Sequence, residues 1–342
     1  MGRMVSPVFP RARDRIRCSR GWLSLAFCFC ASGCSGVQSA LAPAGEEAAQ
    51  ISQLFWTMAI AGIVIWLVVT GLFVYASRKG NRTFGERTAG KLIFWCGAAV
   101  PAMLLFFLLS YTLWLMPGLR PLQKAADTSL RIEVTGEQFW WRIKYLPPDG
   151  NQTVLSANEI RLPVGERVEF LLTSTDVIHS FWIPSLGGKM DMIPGRQNRV
   201  SFLAQKSGTY RAACAEYCGT SHALMAFTTI VMEPHDFRQW LAKQARPSPN
   251  AESTEGALFL QHGCGACHRV AGTAASGNVG PDLSHVGSRA TIGAGILPNS
   301  EHALRRFISH PQSFKPGSHM PSFSMLPAHD IDRIATWLKG LD

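Results

Sequence analysis

Two long apolar stretches without a single charge, residues 54–76 and 92–116, constrain this chain more than any other feature. Each exceeds the roughly 20 residues needed to cross the hydrocarbon of a bilayer. Neither holds an Asp, Glu, Lys, Arg or His, the side chains most costly in lipid. A pair of buried soluble helices fits such length and purity poorly. The pattern predicts a two-helix transmembrane hairpin within residues 34–119. Its connection carries Arg78, Lys79, Arg82 and Arg87, with Lys91 just after. So many cations in a short loop put it in the cytoplasm, and everything beyond residue 117 outside.

The start of the chain agrees with export. Residues 1–33 read as a signal peptide: an arginine-rich segment, a short apolar run over 21–30, then small residues leading to Cys34. Ala31-Ser32-Gly33-Cys34 resembles a bacterial lipobox, which would leave Cys34 lipidated; ordinary cleavage nearby is the alternative. A net charge of +10 suggests nucleic acid at first sight. Half of it lies in the signal segment, however, and the rest is spread without a basic stripe. No nucleic-acid partner is expected.

Over residues 120–243 the pattern changes. Short alternating runs such as Arg131-Ile132-Glu133-Val134-Thr135 and Phe227-Thr228-Thr229-Ile230-Val231 are separated by turn signals such as Pro147-Pro148-Asp149-Gly150. They predict a β-sandwich or barrel. Residues 244–253 have the polar, proline-containing composition of a linker. Over 254–342, helical patterns at 254–259 and 330–338 flank a glycine-rich middle, which predicts a small all-α domain.

The nine cysteines are too clustered for a disulfide framework. Cys214-Ala215-Glu216-Tyr217-Cys218-Gly219-Thr220-Ser221-His222-Ala223-Leu224-Met225 gathers two thiols, an imidazole and a thioether into one short segment. Soft sulfur donors with imidazole favour copper. A mononuclear blue site needs one Cys, whereas two can bridge a copper pair. His179 is the best upstream candidate for a second imidazole, and Glu216 offers a backbone carbonyl as a weak ligand. Zinc on His179, Cys214, Cys218 and His222 would leave Met225 unused. A Cys214–Cys218 disulfide also suits an exported chain. On the residues alone both remain open.

Cys264-Gly265-Ala266-Cys267-His268 is the attachment signature for c-type haem. Its thiols can form thioethers to the haem, leaving His268 beneath the iron; a thioredoxin-like pair would need a βαβ context that is missing. Lys315-Pro316-Gly317-Ser318-His319-Met320-Pro321 resembles the cytochrome c methionine loop, so Met320 is the preferred sixth ligand, with His319 and Met325 as rivals. His262, His285, His302, His310 and His329 are expected at the surface.

At these residues the chain resembles subunit II of haem–copper cytochrome c oxidases. The family's CuA motif matches at Cys214, Glu216, Cys218, His222 and Met225. His179 matches within Asp176-Val177-Ile178-His179-Ser180-Phe181-Trp182, and Lys189-Met190-Asp191-Met192-Ile193-Pro194-Gly195-Arg196 matches a family loop. The resemblance spans residues 50–235. The last domain resembles class I cytochrome c, which gives the layout of caa-type oxidases. The resemblance implies a multi-domain membrane protein with a cupredoxin domain, a dinuclear CuA centre, one covalent haem c, and Mg on the Glu216 carboxylate. Electrons would enter at the haem, pass to copper and reach subunit I, where oxygen is reduced and protons are pumped. Implied partners are subunits I and III, membrane lipid, and a bc complex or soluble cytochrome c as donor. The setting would be a bacterial cytoplasmic membrane, with both termini and both metal domains on the periplasmic side. A membrane-anchored electron shuttle and a CuA-dependent nitric oxide reductase subunit are the alternatives. Two departures stand out. The family's electron-input stretch reads Gly136-Glu137-Gln138-Phe139-Trp140-Trp141, with Phe139 in place of its first Trp. Residues 92–97 hold no carboxylate, so no proton-uptake role carries over.

Overall fold

The computed structural model describes residues 36–78, 85–119, 130–146 and 153–342. The signal segment, Cys34, Lys79, Arg82 and the turn at Pro147-Pro148-Asp149-Gly150 lie outside the described residues. Helix α1 (Glu46–Arg78) is followed by α2 (Glu86–Phe94), a π-helical turn (Trp95–Ala99) and α3 (Val100–Leu119). Both helical stretches are long and apolar enough to cross a membrane, and their apolar windows are unburied by the rest of the chain. The start of α1 is different. Glu47, Ala48 and Ser52 are buried against the β domain. Glu46 and Glu47 each pair with Arg167 at 2.6 Å, and the other Glu47 oxygen accepts the Leu203 N–H at 3.2 Å. Two acidic residues in a first turn also suit the positive end of the helix.

Ten strands follow: β1 (Leu130–Glu137), β2 (Trp140–Leu146), β3 (Val154–Ala157), β4 (Glu159–Pro163), β5 (Arg167–Ser174), β6 (His179–Trp182), β7 (Met190–Met192), β8 (Asn198–Leu203), β9 (Gly208–Cys214) and β10 (Ala226–Met232). They form two five-stranded sheets, ordered β3-β2-β1-β5-β8 and β4-β10-β9-β6-β7. Alternate residues of β1 and β2 are buried, as a sheet with one face on a core requires. Rings from the two sheets interlock in that core. Trp141 meets Phe227 at 5.0 Å, Phe170 meets Phe181 at 5.0 Å, and Phe181 stacks on Phe227 at 5.1 Å. Each buried ring contributes about 2–3 kcal/mol by area alone, which makes this the cohesive centre of the sandwich.

Helix α4 (Pro234–Gln244) closes the sandwich, and α5 (Thr254–Gln261), a two-stranded β11 (Thr291–Ile292) and β12 (Leu297–Pro298), α6 (Glu301–Ser309), α7 (Pro311–Phe314) and α8 (Ala328–Lys339) build the last unit. Ser253 and Ser300 cap α5 and α6 by accepting from Gly256 N and Ala303 N. A second core gathers Phe259, Leu304, Ile308, Ile331, Ile334 and Trp337. A Cβ at Gly256 would stand 2.8 Å from the Ala251 carbonyl oxygen and 3.2 Å from the Trp337 ring, so only glycine lets α5 and α8 approach this closely. The segment between the units is packed. Asn250 bonds Gly340 O through its side chain and accepts the Trp337 indole N–H, both at 2.9 Å.

The two units are also docked directly. Arg161 donates to Ser288 O at 3.2 Å, and its partner Glu159 accepts Ala290 N–H at 2.7 Å. Arg211 reaches Gly295 O at 3.0 Å, Ala226 N–H reaches Ala294 O at 3.1 Å, and Arg142 reaches Asn278 O at 2.6 Å. Ser221 donates to Pro316 O at 2.6 Å.

Two predictions concern this framework. Arg167→Ala leaves the Glu46 and Glu47 carboxylates beside the sheet without their cation, and should cost about 3 kcal/mol in a denaturation measurement. Lys315 is buried, its ammonium donating to Gly293 O at 2.8 Å. Burial pushes its pKa down from 10.5 to about 7, against the pull of Cys218. As pH falls through that window the unfolded chain binds the proton first, so native stability declines until about 7 and is level below. Lys315→Met should flatten this slope in melting curves taken across the same range.

Candidate functional site

Strand pairing assembles the first site. β6 runs antiparallel to β9 with Phe181 opposite Cys214, which carries His179 to the end of β9 where Cys214 lies. The following loop folds back on itself. Ala215 N–H bonds Ser180 O at 3.0 Å, His222 N–H bonds Gly219 O at 3.0 Å, and Cys214 N–H bonds Met225 O at 2.9 Å. The result gathers the predicted donors. Cys214 Sγ and Cys218 Sγ are 4.0 Å apart; His179 Nδ1 is 3.9 Å from the first, and His222 Nδ1 is 3.5 Å from the second. Met225 Sδ lies 3.8 Å from Cys218 Sγ, and Glu216 O lies 3.2 Å from Cys214 Sγ. His179, Cys214, Cys218 and Met225 are all buried. Hydrogen bonding between the two thiols holds Cys214 well below the usual thiol range, helped by His179, and pushes Cys218 up.

This donor set fits a soft metal. His179 presents Nδ1 to Cys214 because its Nε2 is held by Asp176 Oδ1 at 2.8 Å, and Asp176 is fixed in turn by Gln138 N–H and Val177 N–H, both at 2.6 Å. Such an outer partner orients the ring and selects the tautomer. Burial opposes the charged imidazole, but the hydrogen bonds to Cys214 and Asp176 outweigh it and raise the His179 pKa. The Glu216 carboxylate turns away to the surface, where Lys189 Nζ lies 3.4 Å from it and 3.3 Å from Asp191.

The three aromatic residues of the 139–141 stretch take separate places. Trp141 is buried in the core with its ring centroid 6.3 Å from that of His179. Trp140 lies under the Arg142 guanidinium at 4.7 Å. Phe139 is buried beside Gly219, on the side facing the last unit.

In the last unit, Cys264, Gly265 and Ala266 form a short 3-10 turn that leaves Cys264 half-buried and Cys267 exposed. His268 Nδ1 bonds Pro281 O at 2.8 Å, which leaves Nε2 for an iron. Burial pushes this imidazole below its ordinary pKa, toward the neutral form that ligates. Met320 packs partly buried against the second core, whereas Met325 is 75% exposed and His319 is exposed. These residues fit a covalent haem.

One expectation is corrected. His285 is buried, not on the surface, and both its ring nitrogens lack a partner among the described residues. The turn that follows it tucks under the end of the chain, with Gly287 N–H on Leu341 O at 2.8 Å. No local pattern announces that burial. His262 is half-buried and paired with Asp330 at 3.0 Å, while His302, His310 and His329 are exposed.

Sequence reasoning missed Asp176 and Gly136 as parts of the copper site, whereas Gly280-Pro281-Asp282-Leu283, which resembles the cytochrome c loop over the haem edge, places Gly280 at the haem site as expected. A Cβ on Gly136 would stand 2.7 Å from the His179 ring, and one on Gly280 would stand 2.6 Å from the His268 ring. Each glycine is adjacent to or within a quoted motif, but its reason lies across the fold. Gly136→Ala is therefore expected to displace His179 and lower bound copper well below the wild-type content in elemental analysis, while the haem absorbance is unchanged.

Comparison with known proteins identifies both domains. Residues 142–233 match the model of the cytochrome c oxidase subunit II periplasmic domain, and residues 253–342 match that of cytochrome c. Cytochrome c oxidase subunit 2 of Alkalihalophilus pseudofirmus is 32% identical over 325 residues, covering 91% of this chain and 93% of that protein. The Bacillus subtilis protein of the same name is 31% identical over 339 residues, covering 91% and 94%. The solved periplasmic domain of subunit II of cytochrome oxidase (CoxB) of Bradyrhizobium japonicum is 34% identical, covers 34% of this chain and 94% of its own, and aligns with a TM-score of 0.32. With a copper-binding β domain, a haem-binding cytochrome c domain and two apolar helices in one chain, the protein belongs to the cytochrome c oxidase subunit II family and is a membrane-anchored part of a haem–copper oxidase.

Proposed function

We propose that this chain is the electron-input subunit of a terminal oxidase, taking electrons at a haem in its last unit and delivering them through a copper pair to subunit I. The observation that carries the reading is the pair of buried thiols 4.0 Å apart, flanked by one imidazole each and one thioether. Copper held there cycles by one electron, and the haem iron does the same. His179, His222, Cys214 and Cys218 would hold the copper pair, with Met225 and the Glu216 carbonyl as weaker ligands. Cys264 and Cys267 would hold the haem covalently, with His268 and Met320 on its iron. Met/His ligation raises the potential relative to two imidazoles, which suits a donor.

The protein's own part is to hold these donors rigidly. Asp176 fixes the His179 ring, Gly136 gives it room, and the β9–β10 loop returns Met225 to Cys218. A ligand set that does not move keeps the reorganisation accompanying each electron small. Phe139, Trp140 and Trp141 are assigned to electron passage, Phe139 being the one that lies beside Gly317 of the last unit. The Glu216 carboxylate would bind Mg at the contact with subunit I once Lys189 releases it, since hard oxygen ligands suit that ion.

We assign residues 1–33 to a signal, 34–119 to the membrane hairpin, 120–243 to the copper domain, 244–253 to the connection and 254–342 to the cytochrome domain. Both metal domains would lie outside the cytoplasmic membrane, since the basic connection stays inside. Subunit III and either a bc complex or a soluble cytochrome c are the further partners assigned.

The full-length chain, purified in detergent without other subunits, should contain one iron and two coppers and show a near-infrared mixed-valence band. One zinc, or a single blue copper, would refute this. Cys218→Ser should abolish the dinuclear signal and leave the haem spectrum intact.

A further inference from the structure

The seam between the two units holds one contact unlike the others. Ser221 is fully buried and its Oγ donates to Pro316 O at 2.6 Å. It immediately precedes the copper-side His222, and Pro316 lies on the loop that leads to Met320. The other seam bonds end elsewhere: Ser288, Ala290, Ala294, Gly295 and Asn278 are not in the loop of a proposed axial ligand.

The surrounding packing narrows the same place. A Cβ on Gly317 would stand 3.7 Å from Thr220 Cβ and 3.5 Å from the Phe139 ring. A Cβ on Gly219 would stand 3.2 Å from that same ring. Both glycines have positive φ, +78° and +126°, so neither position accepts a side chain without strain. The Phe139 ring thus lies beside a glycine of each metal-bearing loop. Gln138 Nε2 adds a bond to Cys218 O at 2.5 Å, tying the stretch before Phe139 to the copper loop.

Resting on the electron-transfer reading above, we propose that Ser221 is a positioning residue for transfer across the seam, its hydroxyl locking the 316–320 loop onto the copper loop. The connection it makes is continuous: His222 backbone, Ser221 side chain, hydrogen bond, Pro316 carbonyl, and the short chain to Met320. The step moves one electron. The haem iron is oxidised by one, the copper pair is reduced by one, and no bond breaks and no proton transfers. Without the hydroxyl, the electron must cross a gap instead of a hydrogen bond, and the loop is freer to drift.

The test compares wild type, Ser221→Ala and Ser221→Thr as full chains in the oxidase complex. Haem-to-copper transfer is followed after photochemical injection of an electron at the haem. Ser221→Ala should slow it several-fold with both midpoint potentials and both spectra unchanged, and Ser221→Thr should restore it. Independently of the cofactors, amide exchange at Gly317 and Ser318 should rise about fivefold in Ser221→Ala, the factor for losing one hydrogen bond. A wild-type transfer rate in Ser221→Ala overturns the proposal. Slowing that comes with a shifted copper potential also overturns it, because the hydroxyl would then act on the ligands. If wild type lacks either metal spectrum, the electron-transfer reading fails, and unchanged exchange would still refute the lock by itself.

Discussion

Two sulfur atoms held 4.0 Å apart in a buried loop repel one another once both are ionised, and nearly everything about the copper domain follows from that constraint. Bringing them together requires the β9–β10 loop to fold back, which the Cys214 to Met225 backbone bond achieves. Keeping both ionised requires positive charge nearby. Two imidazoles stand close by: His222, 3.5 Å from Cys218, and His179, 3.9 Å from Cys214 and braced by Asp176. A cation of soft character completes the arrangement, so metal affinity and loop geometry are one property.

The sandwich is built to hold this loop steady. Phe181 and Phe227 stack beside the site with Trp141 edge-on to both, and Phe181 is the residue paired with Cys214 across β6 and β9. Removing a ring there would act on the site through the strand that bears it. At the other end of the domain, Arg167 joins the sheet to the first turn of α1. The metal loop is therefore referenced to the first long helix through the sheet, with the Arg167 ion pairs and the buried Ala44 and Ala48 together at the join.

The spacing of Cys214, Cys218, His222 and Met225, the haem signature and the two apolar spans were legible because each is a local pattern with a local cause. The fold class followed from strand and helix periodicity. What was not legible is long-range. Gly136 reads as a strand glycine, and its reason is the His179 ring that arrives from another strand. Asp176 stood in a quoted segment, yet its role as the brace for His179 needs the turn between them. His285 looks like an ordinary loop histidine until the chain end folds over it. Ser221 is a small polar residue between two motif positions, and nothing in the sequence says that Pro316, so far along the chain, will meet it.

The seam has a consequence for how freely the two units can change. Six of its bonds end on main-chain groups of the cytochrome unit: carbonyls at Ser288, Gly295, Asn278, Pro316 and Ala294, and the amide of Ala290. A main-chain group is present whatever side chain the position carries. Substitutions on that surface of the cytochrome unit can therefore accumulate without erasing the contact, provided the loop keeps its path. Docking through paired charges behaves differently, being weakened by salt and broken by a single reversal. Arg142, Arg161 and Arg211 of the copper domain read backbone across the seam, a mode of attachment suited to partners that are always made together.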